Sequence, residues 1–465
     1  MHALALAKKS VASAYAPWRA ESRALVTLAL PLVLTEIAQM AMGTTDTIMM
    51  GWIGAEALAA GALANHFYGF FVLIGIGVMS AVAPMVAQAL GARRFRHVRR
   101  SVRQGLWAAV AVGLPGGFAV WHAEALLTAL GQDPVVAAAS QDYLRAMVWG
   151  FVPFLGYMVL SHFLAAHSRP RPAMVLTLIA IAVNALGNYL LMFGHFGLPR
   201  LELVGAGIST AIVDYFLFAS LLGYCLWDRR CRRYHILARI WRPDWARFVE
   251  LFRIGLPIGL ALLAEVGLFL ASSLLIGMID TDQLAAHGLA IQCVALVYMV
   301  PYGIGQAAAV RVGLAAGSER WSGIGLAGWT ALAWGTGFAL LPALAFWFGG
   351  TAIVGFYLDP GVPGNAAAVA FAVGFLEVAA VFQLADAAQV VAAGALRGLK
   401  DTRVPMVLAV IGYWAIGFSA AIVFAFELGY EGTGAWIGLA IGLTVTAPML
   451  IWRFRVMLRR YDALV

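Results

Sequence analysis

Charged side chains are what this sequence has least of. They make up 12% of its 465 residues, against about 25% in soluble domains. Hydrophobic residues take 62%, and the mean hydropathy is +0.86. A water-soluble fold with this balance would bare large apolar patches and aggregate, so a soluble globular protein is excluded. Cysteine is scarce as well. Cys225, Cys231 and Cys293 have neither disulfide-framework nor metal-ligand spacing, and they read as ordinary small residues in or near helices. No Walker-type loop, metal-hydrolysis motif or nucleophile constellation occurs. That removes ATP as an energy source supplied by this chain and leaves an enzyme without its chemistry. The ten-residue alternation of a membrane barrel is missing too. No cleavable signal peptide is expected.

What is present is a succession of apolar runs of about 20 residues or more, the length of a membrane-spanning helix. Helices pair their own backbone groups, as lipid requires. Twelve runs can be drawn, at 24–50, 57–84, 103–130, 143–167, 172–194, 202–226, 250–279, 285–314, 323–350, 366–396, 402–424 and 433–456. Lys and Arg then fix the orientation, because cytoplasmic loops collect them. With the N-terminus inside, 29 of the 31 basic residues fall on the inner side, and only Arg145 and Arg200 fall outside. Arg93, Arg94, Arg96, Arg99, Arg100 and Arg103 form one inner cluster, and Arg229, Arg230, Arg232 and Arg233 a second. Both termini are therefore expected in the cytoplasm. The net charge of +8 needs no nucleic-acid partner. The basic residues are topology signals and contacts for anionic lipid.

The sequence repeats. At an offset of 226, Pro31 meets Pro257, Gly51 meets Gly277, Gly77 meets Gly303 and Gly91 meets Gly317, without a gap over about sixty residues. Further on, Gly205, Ala206 and Ile208 meet Gly434, Ala435 and Ile437. Six spans is an even number, so both halves enter the membrane the same way up. The expected fold is all-α and integral to the membrane: twelve transmembrane helices in two six-helix lobes, related by a pseudo-twofold axis along the membrane normal. Parallel repeats of this kind belong to transporters that work by alternating access. The expected organisation is a cytoplasmic tail at 1–23, an N-terminal lobe at 24–226, a basic cytoplasmic linker at 227–249, a C-terminal lobe at 250–456 and a second tail at 457–465. Pro31 and Pro257 each remove a backbone bond early in equivalent helices, as a static kink or as a bend used in motion.

Six acids remain inside spans: Glu36, Asp46, Asp214, Glu265, Glu377 and Asp386. A carboxylate at mid-bilayer costs roughly 3 kcal/mol, so it faces a bundle interior or water and marks a pathway. Glu36, Gln39, Gly43 and Asp46 share one helical stripe, as a cavity lining or as a hydrogen-bond seam between helices. Asn184 and Asn188 lie one turn apart, as do Gln383 and Asp386. Polar pairs of this sort either glue helices together or line a site. Thr210 precedes Asp214 by one turn. Glu377 points away from Asp386. At the repeat offset Asp46 meets Ser272 and Glu265 meets Gln39, so the scaffold repeats and the acids do not. His66, His162 and His287 read as hydrogen-bonded packing residues.

Three stretches give the chain a family likeness. Met42-Gly43-Thr44-Thr45-Asp46-Thr47-Ile48-Met49 is one. Pro257 followed by Glu265 is another. The third is Asp386-Ala387-Ala388-Gln389, leading into Gly394-Ala395-Leu396-Arg397-Gly398 and Lys400-Asp401. Together, from about residue 24 to 455, they resemble the multidrug and toxic compound extrusion transporters, in their NorM-type branch. The resemblance implies export of cationic, amphipathic compounds in exchange for inward H⁺ or Na⁺, with no other cofactor. It implies that Asp46 is the first-helix aspartate of the amino-terminal lobe, with Asn184 and Asn188 beside it. Glu265 and Asp386 would be the acidic pair of the other lobe, and the ligands of Na⁺ if sodium is the ion. Phe382 stands where some sodium-coupled members have Tyr, which takes away an oxygen that a hard cation favours.

The expected cavity is then lined by Asp46, Gln39, Glu36, Asn184, Asn188, Thr210, Phe382 and Gln383, with aromatic rings attracting a lipophilic cation. Asp46, Glu265 and Asp386 are the candidate ion-coupling groups. The partners are small cationic molecules and the bilayer, for a chain that works as a monomer. Two other readings stand beside this one. A lipid-linked precursor flippase of the same superfamily would place Arg or Lys in the cavity. A membrane-embedded enzyme would need a catalytic constellation.

Overall fold

The computed structural model describes residues 2–359 and 362–462. Among the described residues there is no strand, and twelve helices are long and apolar enough to cross a membrane. They are α1 (Pro17–Ile53), α2 (Ala55–Gly91), α3 (Phe95–Trp121), α4 (Pro134–Ala166), α5 (Arg171–Phe193) and α6 (Glu202–Trp227), followed by α7 (Trp245–Gly277), α8 (Thr281–Gly317), α9 (Trp321–Gly355), α10 (Ala366–Gly398), α11 (Arg403–Glu427) and α12 (Glu431–Tyr461). The expected all-α membrane fold is present. Several helices run past the expected spans: α1 begins inside the segment read as a tail, and α12 ends inside the other. Residues 1 and 463–465 of those tails lie outside the described residues.

Local chemistry explains the breaks. Asp133 caps α4, accepting from the Val135 and Val136 amides at 2.8 and 3.3 Å, with Pro134 at the first turn where no donor is needed. Asp280 caps α8 through the Gln283 amide at 3.1 Å. Gly194 ends α5 at φ +73°, where a Cβ would sit 2.8 Å from the Arg200 nitrogen. The loop between α4 and α5 is tied to the end of α6 by Arg169 Nη1 on Asp228 Oδ2 at 2.8 Å. Burial works against charge on Asp228, but the Arg169 guanidinium holds its carboxyl below the usual range.

The chain forms two compact units: residues 34–260, and residues 261–465 with 1–33. Each is described on its own. The division does not fall in the linker at 227–249. It falls inside α1, two residues after Pro31, and inside α7, three residues after Pro257. In the first unit the early part of α7 seats on α2. Gly77 and Gly259 meet backbone to backbone, and a Cβ on Gly255 would lie 2.8 Å from the Val78 carbonyl oxygen. In the second unit the early part of α1 seats on α8, where a Cβ on Gly303 would lie 2.9 Å from the Val33 nitrogen. Gly77 with Gly259, and Gly303 with Val33, are the same contact shifted by 226 residues. The repeat is therefore built into the packing, with one helix segment of each half lent to the other. Glu21 of that α1 segment is paired with Arg311 of α8, at 2.7 Å through Nε.

In the second unit α10 is the central helix, with buried residues on every face from Ala368 to Gly398. α11 is wound partly as π-helix, at Ile411–Phe418 and Val423–Glu427. Its Gly417 lies against Gly442 of α12, with 3.0 Å between a Cβ and the Gly442 Cα. π-Helical turns often occur at functional sites, and this one carries Tyr413.

Candidate functional site

Each unit gathers acids around amides, with Asp46, Asp214 and Asp386 buried and Glu265 half-buried. In the first unit Asp46 of α1 is 9% exposed. Asn184 and Asn188, one turn apart on α5, both donate through Nδ2 to its Oδ1, at 3.0 and 2.6 Å. Ser209 of α6 donates to the Asn184 carbonyl at 3.2 Å and fixes α5 against α6. The side-chain oxygens of both asparagines are buried and have no hydrogen-bond partner. Both amides thus turn their nitrogens to the Asp46 carboxylate and leave their oxygens free to accept. Asp214 of α6 is buried nearby, within electrostatic reach of Asp46 and Tyr68. It fits because position 150 is glycine: a Cβ there would lie 2.5 Å from Asp214 Oδ2. Tyr143 adds a hydroxyl that donates to Asn65 Oδ1 at 3.3 Å.

The sequence reading places more groups here than the structure joins. Thr210 donates to Ala206 of its own helix at 3.1 Å rather than to Asp46. Glu36 and Gln39 are half-buried on α1, and Glu36 lies within reach of Tyr157 of α4. The amides bonded to Asp46 are those of Asn184 and Asn188, not that of Gln39.

In the second unit Glu265 of α7 and Asp386 of α10 are joined through a residue that periodicity did not single out. Gln389 Nε2 donates to Asp386 Oδ1 at 3.1 Å and reaches Glu265 Oε1 at 3.4 Å. Tyr413 of α11 in turn donates to Gln389 Oε1. That bond fixes the amide so that its nitrogen faces both acids. Tyr298 of α8 sits beside Glu265 and stacks on Tyr302 at 5.8 Å. Trp414 Nε1 donates to the Ala264 carbonyl at 3.0 Å and holds α7 against α11 next to Glu265. The charge of Arg397 reaches Glu265. Glu265 thus has a basic group within range, which its sequence context alone did not suggest.

Gln389 stands one turn beyond Asp386 on the same face. Tyr413 is the position 229 residues after Asn184, the offset that aligns Gly205 with Gly434. Helical spacing therefore held a signal for Gln389, and the repeat one for Tyr413. Phe382 and Gln383 are placed differently from the acids. Phe382 is fully buried and stacks on Trp436 at 5.8 Å, in the apolar core. Gln383 is buried with its Nε2 unpartnered. Glu377 is exposed on the other face of α10. His287 bonds Ser273 at 2.8 Å, and His66 bonds its own helix at Ala62, as expected of packing histidines. No group of three or more His, Cys, Asp or Glu that could hold a metal ion occurs among the described residues.

A twelve-helix membrane fold with buried acids in each unit defines a polytopic transporter, and comparison with known proteins agrees. A model of the MatE family matches residues 31–190 and 257–423, starting at Pro31 and again at Pro257. The probable multidrug resistance protein NorM of Mesorhizobium japonicum is 45% identical over 94% of both chains. The protein of the same name from Brucella suis is 42% identical over 94% of this chain and 93% of its own. Among solved structures, a eukaryotic MATE transporter shares the fold with a TM-score of 0.85 at 20% identity, over 96% of this chain and 99% of the other. An outward-facing multidrug resistance MATE family transporter gives 0.84 at 17% identity, over 95% and 96%. The chain belongs to the MatE family; it is a multi-pass membrane transporter and not an enzyme.

Proposed function

We propose that this protein is a multidrug exporter that expels cationic amphipathic compounds in exchange for inward H⁺ or Na⁺. The observation that carries the reading is the Glu265–Gln389–Asp386 bridge. Two acids share one amide, so the arrangement is stable when one of them is neutral and strained when both are charged. A lipophilic cation and the coupling ion would compete for the same negative charge, which is what exchange requires. Protons or Na⁺ arriving at Glu265 and Asp386 cancel the attraction for the drug and release it. The first-unit site, with Asp46 and two amide oxygens lacking donors, is suited to take up a second ion. The chain would act as a monomer in the bacterial inner membrane, both termini in the cytoplasm. Arg397 leans toward an anionic, flippase-type cargo, and its charge is set against Glu265.

The deciding measurement uses the purified protein in liposomes with ethidium as the drug. A proton gradient and a sodium gradient are imposed separately. One of the two should drive ethidium movement against its gradient, and ethidium should evoke counterflow of that ion. If neither gradient moves ethidium, exchange is the wrong mechanism.

Asn188→Ala tests the first-unit site. It removes the 2.6 Å donor to Asp46. Hydrogen bonds to charged groups contribute about 1.5–3 kcal/mol, so the ion concentration needed for half-maximal ethidium efflux should shift by about tenfold or more. An unchanged ion dependence would show that this site does not bind the coupling ion.

A further inference from the structure

A groove of about 1180 Å³ runs along the first unit, and neither Asp46 nor Asp214 lines it. It is lined by Trp107, Leu114 and Phe118 of α3, Trp149 of α4, Phe218 of α6 and Trp241 of the linker. From Trp107 to Trp121, α3 rises about 21 Å along it, more than the roughly 15 Å depth of one hydrocarbon leaflet. The linker closes one end. Trp107 Nε1 donates to the Ile240 carbonyl at 2.7 Å, and Arg103 Nη1 to the Arg239 carbonyl at 3.1 Å.

That end is strongly basic. Arg99, Arg100 and Arg242 all lie within electrostatic range of Arg103, with Asp244 as the acid among them. Asp244 is already paired with Arg100 and accepts from the Arg247 amide at 3.4 Å. Arg103 is 7% exposed, and its Nε is buried without a partner, as is that of Arg99. Arg239 and Arg242 are exposed at the groove's end. Four guanidinium groups with no acid to spare adjoin one end of a long, aromatic, apolar trough. We propose that the groove is a binding site for an anionic diacyl phospholipid, its acyl chains along α3 and its phosphate among Arg99, Arg103, Arg239 and Arg242. Basic pockets beside membrane helices recognise such head groups, and the tryptophans suit the boundary between chain and head group. A zwitterionic lipid would fill the trough and leave the arginines unmatched. The lipid would also pin the linker to α3.

The test is native mass spectrometry of the detergent-purified full chain. Dioleoyl phosphatidylglycerol and dioleoyl phosphatidylcholine are added in parallel. The first should be retained at least about tenfold better, the effect of one or two of the four arginines at about 1 kcal/mol each. Arg239→Gln with Arg242→Gln should bring its retention down to the level of the second. Leu114→Trp, at a 63% exposed position, should obstruct the trough and lower retention without touching the arginines. Both variants change exposed side chains, so each reports even if the other folds poorly. Melting curves add a further arm: phosphatidylglycerol should raise the melting temperature, and millimolar inorganic phosphate should not. Equal retention of the two lipids, or retention unaffected by both variants, would overturn the site. A stabilisation reproduced by inorganic phosphate would reduce it to an oxyanion subsite and overturn the lipid assignment.

Discussion

Asp386→Asn is expected to abolish ion-driven export while leaving the protein folded and at normal abundance. Asp386 is 2% exposed and accepts from Gln389 Nε2 at 3.1 Å. An asparagine oxygen can accept the same bond, so α10 should keep its place. What disappears is the charge, and with it both the attraction for a cation and the group that a proton or Na⁺ neutralises. A carboxylate about 4 Å from a cation attracts it by about 4 kcal/mol at an effective dielectric of about 20, so efflux of a cationic drug should fall by about a hundredfold or more. Glu265→Gln should do nearly the same. Because Gln389 joins the two acids, the double variant should be little worse than either single one. The assay is ethidium efflux from cells stripped of other pumps, at matched expression. Near-normal efflux by Asp386→Asn would remove this residue from the mechanism.

Gly394→Val should cost the protein its fold. Gly394 of α10 meets Gly305 of α8 backbone to backbone, and there is no side chain there to turn aside. Overpacking of a close interface costs about 1–3 kcal/mol, occasionally more; with only backbone to displace, the upper end applies. Gly374→Ala on the same helix is the control, since a Cβ there meets nothing within 4 Å. In detergent, Gly394→Val should elute as aggregate on size exclusion or melt many degrees early, and Gly374→Ala should match the parent. A normal melting curve for Gly394→Val would mean that α8 and α10 can part without loss.

Much of this fold is legible in the sequence because lipid imposes a length, a polarity and a charge bias on every span. Pro31 and Pro257 mark the repeat, and the family model matches from those two residues. Asp46, Asn184 and Asn188 are also readable, since a buried acid needs donors and two amides one turn apart on α5 supply them. Other parts are hidden for physical reasons. Phe382 and Asp386 share a stripe, but α10 exposes no residue from Phe382 to Gly398, so periodicity cannot tell which neighbour each one meets. Phe382 goes to Trp436. Gln389 bridges acids 124 and 3 residues away, and only the first distance needed the fold. The passage of α1 and α7 from one unit to the other leaves no trace in hydropathy, because both segments remain apolar throughout.

That passage bears on how the protein is made. The first unit includes residues up to 260, and chains emerge from the ribosome amino end first. Six helices would be in the membrane before the one that seats beside Gly77 had been synthesised. The groove on α2 would stay unfilled until α7 is inserted. The second unit meets the opposite order: its α1 segment is present from the start and waits for α8. Neither unit closes on the product of half the reading frame: the first waits for α7, and the second for the helices from α8 onward.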